Sequence, residues 1–318
     1  MNKVLLTGAA GFIGRSLAVE MQKKDFNLVA AVRQQSSSLP ENILQAVMGD
    51  ITPETDWSSM LDAVSTVIHT AARVHIMNDA ATDPLAEFRK ANVDVTMQLA
   101  KQSATAGVKR FIFLSTIKVN GEMTQLGKPF TADDSPAPND SYGISKAETE
   151  QALLNLSSVT GMEVVIIRPV LVYGAGVKAN FLSMMHWLKR GFPLPLGAIH
   201  NKRSLIALDN LVDLIIICID HPAAANQVFL ASDGEDLSTT ELLQRVGLSL
   251  GRHVRLIPVP ASFLVMFARL TGKSVLARRL IGSLQVDITK TLNTLEWVPP
   301  VNVEEAIDKT VKGFLQQQ

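Results

Sequence analysis

The sequence is nearly free of cysteine. Cys218 is the one thiol in 318 residues, so no disulfide can form within the chain and a reducing compartment is expected. It lies in the apolar run Leu214 to Ile219, where an inert buried thiol is expected rather than a reactive one. Excess charge is missing too. Thirty basic and 30 acidic residues cancel, which argues against a broad electrostatic footprint for nucleic acid. The six histidines show no metal-ligand spacing, so no metal centre is implied. No apolar run is long and unbroken enough to span a bilayer as a helix. No segment repeats, and none is of low complexity. The first strand begins at Lys3, with no room before it for a signal peptide. These absences predict a cytoplasmic location. What is present is 47% hydrophobic, enough for a sizeable core in one large domain or two closely joined ones.

The most informative stretch is Lys3 to Gly14. Val4, Leu5 and Leu6 read as a short buried strand, followed by Gly8, Gly11 and Gly14 three apart, then by the helical pattern Phe12, Ile13, Leu17, Ala18, Met21. Each glycine has a task. Gly8 permits the tight turn, Gly11 lets the backbone approach a pyrophosphate, and Gly14 lets the helix pack closely on the sheet. The first-turn amides and the positive helix end then face the phosphates. Strand before and helix after make this a dinucleotide fingerprint rather than a structural turn.

Further short apolar strands follow: Asn27 to Val32, Leu44 to Met48, Thr66 to His69, Arg110 to Leu114 and Glu163 to Ile167. They alternate with helical patterns at Pro84 to Ala104 and Ser141 to Leu156. That alternation predicts an α/β fold, a Rossmann-like doubly wound parallel sheet whose ligands sit outside the carboxyl ends of the strands. Beyond about Val170 helical segments dominate, with short strands and proline-rich connections. Residues 171–318 are therefore expected to form a smaller α/β substrate-binding lobe beside an NAD(P)-binding domain of residues 1–170. The boundary is soft, because elements of either half can join the other.

Tyr142 and Lys146 are four apart at the opening of a helix, which sets them on one helical face. A lysine ammonium beside a phenol lowers the phenol's pKa from about 10, so that it exchanges a proton with a sugar or alcohol oxygen near neutral pH. The lysine can also hold a cofactor ribose.

With both motifs in view, the sequence resembles the extended short-chain dehydrogenase/reductase family, in the branch acting on nucleotide sugars that includes UDP-galactose 4-epimerase. The resemblance covers essentially the whole chain. It is carried by Thr7 to Gly14, Asp50-Ile51, His69 to Ala72, Asn92-Val93, Leu114 to Thr116, Tyr142 to Lys146, Arg168-Pro169 and Val172 to Gly174. It implies that Thr116 hydrogen-bonds the reacting oxygen, Tyr142 is the acid/base and Lys146 orients the cofactor. It further implies a cofactor site formed by Gly8, Gly11, Phe12, Ile13, Gly14, Asp50, Ile51, Ala71, Ala72, Asn92, Tyr142, Lys146 and Pro169, with Asp50 at the adenine and the two alanines along the pyrophosphate. The stretches Ala71 to His75, Ser115 to Glu122 and Gly282 to Asp287 look like a bacterial surface-polysaccharide subgroup. Its members handle UDP-4-keto-6-deoxy-N-acetylhexosamines, some as 4-epimerases and others as 4-keto reductases of the UDP-N-acetylquinovosamine dehydrogenase type.

Two departures from relatives narrow the chemistry. Related 4,6-dehydratases carry Asp-Glu after the active-site threonine, whereas this chain has Ile117 and Lys118, and a lysine does not replace a glutamate base without a large pKa shift. Dehydration is therefore disfavoured. Arg33 follows the second strand, 19 residues after Gly14, where NAD enzymes usually carry an acid for the ribose hydroxyls. An arginine there suits a 2′-phosphate, so NADP(H) is expected over NAD(H), with a solvated surface arginine as the competing reading. In the second lobe the resemblance implies a UDP-sugar site. Asn180 lies near the phosphates, and Arg203 with Arg279 gives a bidentate phosphate grip, Arg278 being an equal rival to Arg279. Arg73, Lys118 and His75 are candidates for sugar contacts. The reading that results is a 4-keto reductase acting at sugar C4, with a UDP-hexose or UDP-N-acetylhexosamine 4-epimerase as the alternative. A homodimer through the Pro84–Ala104 and Ser141–Leu156 helices is the family expectation. Two readings of other classes stand beside these: a non-catalytic NADP-binding sensor or scaffold, and a membrane-surface protein using Pro260 to Leu280, where apolar and basic residues mix.

Overall fold

The computed structural model describes residues 3–74, 83–272 and 274–316, with the backbone alone for 274–276 and 279. Ten strands are numbered in chain order: β1 (Lys3–Thr7), β2 (Asn27–Val32), β3 (Leu44–Val47), β4 (Val64–His69), β5 (Arg110–Leu114), β6 (Glu163–Pro169), β7 (Leu171–Tyr173), β8 (Arg203–Ala207), β9 (Gln227–Ala231) and β10 (Asp236–Leu237). Seven make one sheet in the order β3-β2-β1-β4-β5-β6-β9, with every pair parallel. The order reverses between β1 and β4, and the crevice at such a switch point is where ligands of doubly wound sheets bind.

Both faces of the sheet are covered, as side-chain alternation requires. Val4, Leu6, Ile112, Val165 and Ile167 point into a core shared with Leu17 and Met21 of the helix Phe12–Lys23 and with Leu211 and Ile215 of the helix Leu208–Asp220. Leu5, Phe111, Phe113, Val164 and Ile166 point the other way, onto Leu99, Leu153 and the fully buried Trp57. A third core, centred on Tyr173, Phe181, Leu243, Val246 and Phe314, underlies the small sheet β10-β8-β7. Phe12 packs on both the first and the third core. The halves of the chain interleave. Strand β9 and the helix Leu208–Asp220 come from beyond residue 170, yet the strand completes the large sheet and the helix lies on its face. Cys218 is buried on that helix, and its thiol is pushed up to about 12 by burial.

The expected helix over Pro84 to Ala104 is broken into three pieces. An α turn at Pro84–Phe88 passes into a π turn at Arg89–Asp94 and then an α-helix at Val95–Thr105. Wide π turns recur at functional sites, and this one carries Asn92 inward. Arg89 forms an ion pair with Glu148 on the helix Ser141–Thr160. Beyond residue 170 helices dominate as expected: Ala179–Arg190, Leu208–Asp220, Thr239–Ser249, Ala261–Leu270, Ser274–Ile281, Thr289–Leu295 and Val303–Gln316. Among the described residues no helix is long and apolar enough to cross a membrane.

Candidate active site

The site begins at the carboxyl end of β1. Gly8 holds φ +72°, and a Cβ there would stand 2.6 Å from Ala71 N at the end of β4. A Cβ on Gly14 would stand 2.2 Å from Gly8 O, so the helix is seated against the turn as only glycine permits. The Gly11 amide donates to Gly8 O at 2.9 Å and closes that turn. Gly11 also caps the helix Phe12–Lys23 with no side-chain hydrogen bond, leaving first-turn amides without a side-chain acceptor. A glycine cradle under an uncapped helix end fits a dinucleotide pyrophosphate.

The neighbouring strand end is held by side chains. Asn92 Oδ1 accepts from the Arg73 amide at 2.8 Å, and Asn92 Nδ2 donates to Arg73 O at 3.1 Å and to Ser145 Oγ at 3.1 Å. One buried amide thus ties the segment after β4 to the helix that carries Tyr142 and Lys146. His69, fully buried beneath, bonds Thr7 Oγ1 at 2.7 Å and Thr96 Oγ1 at 3.0 Å. Burial first, and the nearby Lys146 second, push the imidazole down to about 3, so it is neutral at physiological pH.

Tyr142 and Lys146 occupy the first turns of the helix Ser141–Thr160, started by Asp140, whose Oδ1 accepts from the Gly143 amide at 2.7 Å. The Lys146 ammonium donates to Leu114 O at the end of β5 at 2.9 Å and lies 4.2 Å from the Phe113 ring centroid. Thr116, two residues beyond that carbonyl, caps a short 3-10 turn, its Oγ1 accepting from the Lys118 amide at 3.3 Å. The half-buried Tyr142 ring lies 6.0 Å from the Phe88 ring and 5.9 Å from the Lys118 ammonium. Lys118 in turn forms an ion pair with Asp140.

The electrostatics correct one expectation. Lys146 does not lower the phenol. Burial, and then the Asp140 carboxylate, hold Tyr142 above its ordinary value, while burial pushes Lys146 down to about 7. In this arrangement the Lys146 ammonium is aimed at the Leu114 carbonyl. Glu150, one turn further on, pulls Lys146 upward. Its carboxylate is held by Arg168 at 2.6–3.1 Å and accepts from Ser115 Oγ; Arg168 also donates to Asn120 Oδ1 at 2.9 Å. Both ions are buried. Glu150, Asn120 and Asp140 were missed in the sequence reading. For Glu150 the available signal was its spacing of four from Lys146.

Arg33 and Asp50 are brought together with each other. The Arg33 Nε lies 3.0 Å from Asp50 Oδ1, with both side chains exposed. The arginine expected at a 2′-phosphate is thus matched to a carboxylate, which competes with a phosphate for the guanidinium and weakens the case for NADP(H). Ile51, Phe12 and Ile13 are half-buried, and Pro169 is buried at the end of β6. In the second lobe, Asn180 is exposed near the start of the helix Ala179–Arg190, just after Ala179. Ala179 holds φ 54°, a left-handed backbone that costs about 1–2 kcal/mol without glycine. Arg203 donates to Gly282 O at 3.1 Å. Arg278 is exposed, whereas the Arg279 side chain and His75 lie outside the described residues. A cavity of about 310 Å³ lined by Ser16, Tyr173, Leu208, Lys309 and Gly313 contains none of the candidate residues. Among the described residues no cluster of metal-ligating side chains is present.

A Rossmann-like sheet, a glycine cradle at its switch point and a Thr–Tyr–Lys set at the neighbouring strand end define the class. The chain belongs to the NAD dependent epimerase/dehydratase family, whose sequence profile matches residues 4–231. It is similar to the UDP-glucose 4-epimerase of Vibrio cholerae, with 47% identity over 316 residues, 99% of this chain and 96% of that one. It is also similar to the N-acetyl-alpha-D-glucosaminyl-diphospho-ditrans,octacis-undecaprenol 4-epimerase of Escherichia coli O157:H7, at 28% identity over 98% of this chain and 95% of that one. In fold it matches the UDP-glucose 4-epimerase of Thermotoga maritima solved with UDP-glucose (TM-score 0.79, 21% identity, 99% of both chains). The UDP-glucuronic acid 4-epimerase of Bacillus cereus solved with NAD gives TM-score 0.80, 20% identity and 99% of both chains.

Proposed function

We propose that this protein is an NAD-dependent UDP-hexose 4-epimerase. The observation that carries the reading is the 47% identity, over 99% of the chain, to a UDP-glucose 4-epimerase. NAD, when bound, would supply the acceptor and donor of the hydride at the sugar C4. The Gly8–Gly14 cradle, Ala71, Ala72 and Asn92 hold the dinucleotide. Tyr142 takes the proton from the sugar O4 and later gives it back. Thr116 hydrogen-bonds the same oxygen and keeps it in line. Lys146, with a pKa of about 7, supplies positive charge as the phenol gives up its proton, which offsets the burial that otherwise keeps Tyr142 protonated. Asn180 and Arg203 receive the diphosphate, and Arg73 and Lys118 face the sugar. The intact Thr116, Tyr142 and Lys146 set argues against a sensor or scaffold without chemistry.

A 4-keto reductase of UDP-4-keto-6-deoxy-N-acetylhexosamines is the second reading, favoured by Arg33 at the ribose position and by the Ser115 to Glu122 stretch. The two differ in what happens to the cofactor. The purified protein is expected to retain NAD through gel filtration and to convert UDP-glucose to UDP-galactose with no nicotinamide added. Stoichiometric consumption of NADPH with a 4-keto sugar, and no epimerisation, would establish the reductase instead.

A further inference from the structure

The helix Ala261–Leu270 exposes four of its six large apolar side chains. Phe263, Met266, Phe267 and Leu270 are 59%, 54%, 65% and 80% exposed, and their spacing of three, four and seven sets them in one stripe. Ala268 is the helix's one buried residue. The helix Ser274–Ile281 packs beside it. A solvated helix gains nothing by presenting four large apolar groups on one face, so the stripe calls for a covering surface.

Charge says what that surface is. From Leu242 to Val286 the sequence has seven basic residues and no acidic one, although the whole chain is balanced. Arg252, Arg255, Arg269 and Arg278 are exposed and make no ion pair among the described residues. An apolar stripe within an acid-free basic segment matches an anionic lipid surface, where rings enter the acyl boundary and guanidinium groups meet the phosphates. A second copy of this chain would bring one basic segment against another.

We propose that the helix Ala261–Leu270 docks this protein peripherally onto anionic membranes. The docking element is fastened to the substrate lobe. Leu280 O accepts from Thr239 Oγ1 at 2.6 Å, and Gly282 O accepts from Asn201 Nδ2 at 2.8 Å and from Arg203 Nη1 at 3.1 Å. Contact with the bilayer therefore brings the lobe carrying Arg203 to the lipid surface. The inference stands whether the enzyme epimerises or reduces.

The test is co-sedimentation of the full chain with phosphatidylcholine vesicles, with and without about one-third phosphatidylglycerol. The wild type is expected to bind the anionic vesicles and to release at high salt. Phe263→Ser with Phe267→Ser removes two exposed rings, so the fold should be unchanged by circular dichroism while binding falls about tenfold or more. Arg269→Glu with Arg278→Glu should weaken binding to anionic vesicles alone. Wild type left in the supernatant at low salt, or serine and wild-type proteins binding equally, overturns the proposal. A change of oligomeric mass in the serine variant by light scattering also overturns it and assigns the stripe to a second copy.

Discussion

His69 should make this fold acid-sensitive well above the range in which carboxylates titrate. The ring is buried between two threonine hydroxyls, and its pKa is pushed from 6.5 to about 3, chiefly by burial. Between those values the unfolded chain binds a proton and the folded chain does not. The stability held by the neutral ring is therefore fully present above pH 6.5 and is lost as pH falls toward 3. Linkage gives a loss of about 1 kcal/mol by pH ~5.5 and about 3 kcal/mol by pH ~4, a large share of a typical folding free energy of 5–15 kcal/mol. Carboxylates held low, such as Asp287 hydrogen-bonded by Thr289, add their own loss below their ordinary range, so the wild-type profile alone does not isolate the imidazole. The comparison with His69→Gln does. Urea unfolding followed by tryptophan fluorescence at several pH values should show the variant less stable near neutrality but losing less on acidification, by about 3 kcal/mol at pH ~4. Parallel loss in the two proteins would mean that the buried ring takes up its proton without unfolding and would refute the reasoning.

Two further perturbations test the site. Tyr142→Phe should lower turnover by about two to four orders of magnitude, the range for losing an acid/base, while leaving UDP-sugar affinity by calorimetry nearly unchanged; comparable turnover removes the phenol from the mechanism. Glu150→Gln leaves the Arg168 guanidinium buried without its counter-ion and should cost roughly 3–5 kcal/mol in denaturant unfolding, whereas adding Arg168→Met should recover part of that loss. Additive losses would show that the pair is not coupled.

The sequence alone determined the architecture of the large sheet. Five of its strands, β1, β2, β4, β5 and β6, are largely buried and read as short apolar runs, and the glycines at 8, 11 and 14 are local requirements of one turn. The spacing of Tyr142 and Lys146 on one helical face, and the nearness of Thr116 to the end of β5, were legible for the same reason: each depends on residues close in the chain. Tertiary structure decided the rest. The Gln227–Ala231 strand joins β6 across more than half a hundred residues of intervening chain, a pairing that local pattern does not carry. The π turn at Arg89–Asp94 exists where Asn92 finds the Arg73 backbone and Ser145, two partners distant in sequence. Arg33 read by itself suited a phosphate, and only the fold sets Asp50 against it. Lys146 read beside Tyr142 suited a phenolate, and only burial moves the lysine down and the phenol up. Charge interactions and desolvation depend on what packs around a group, and that surrounding comes from distant segments meeting in three dimensions.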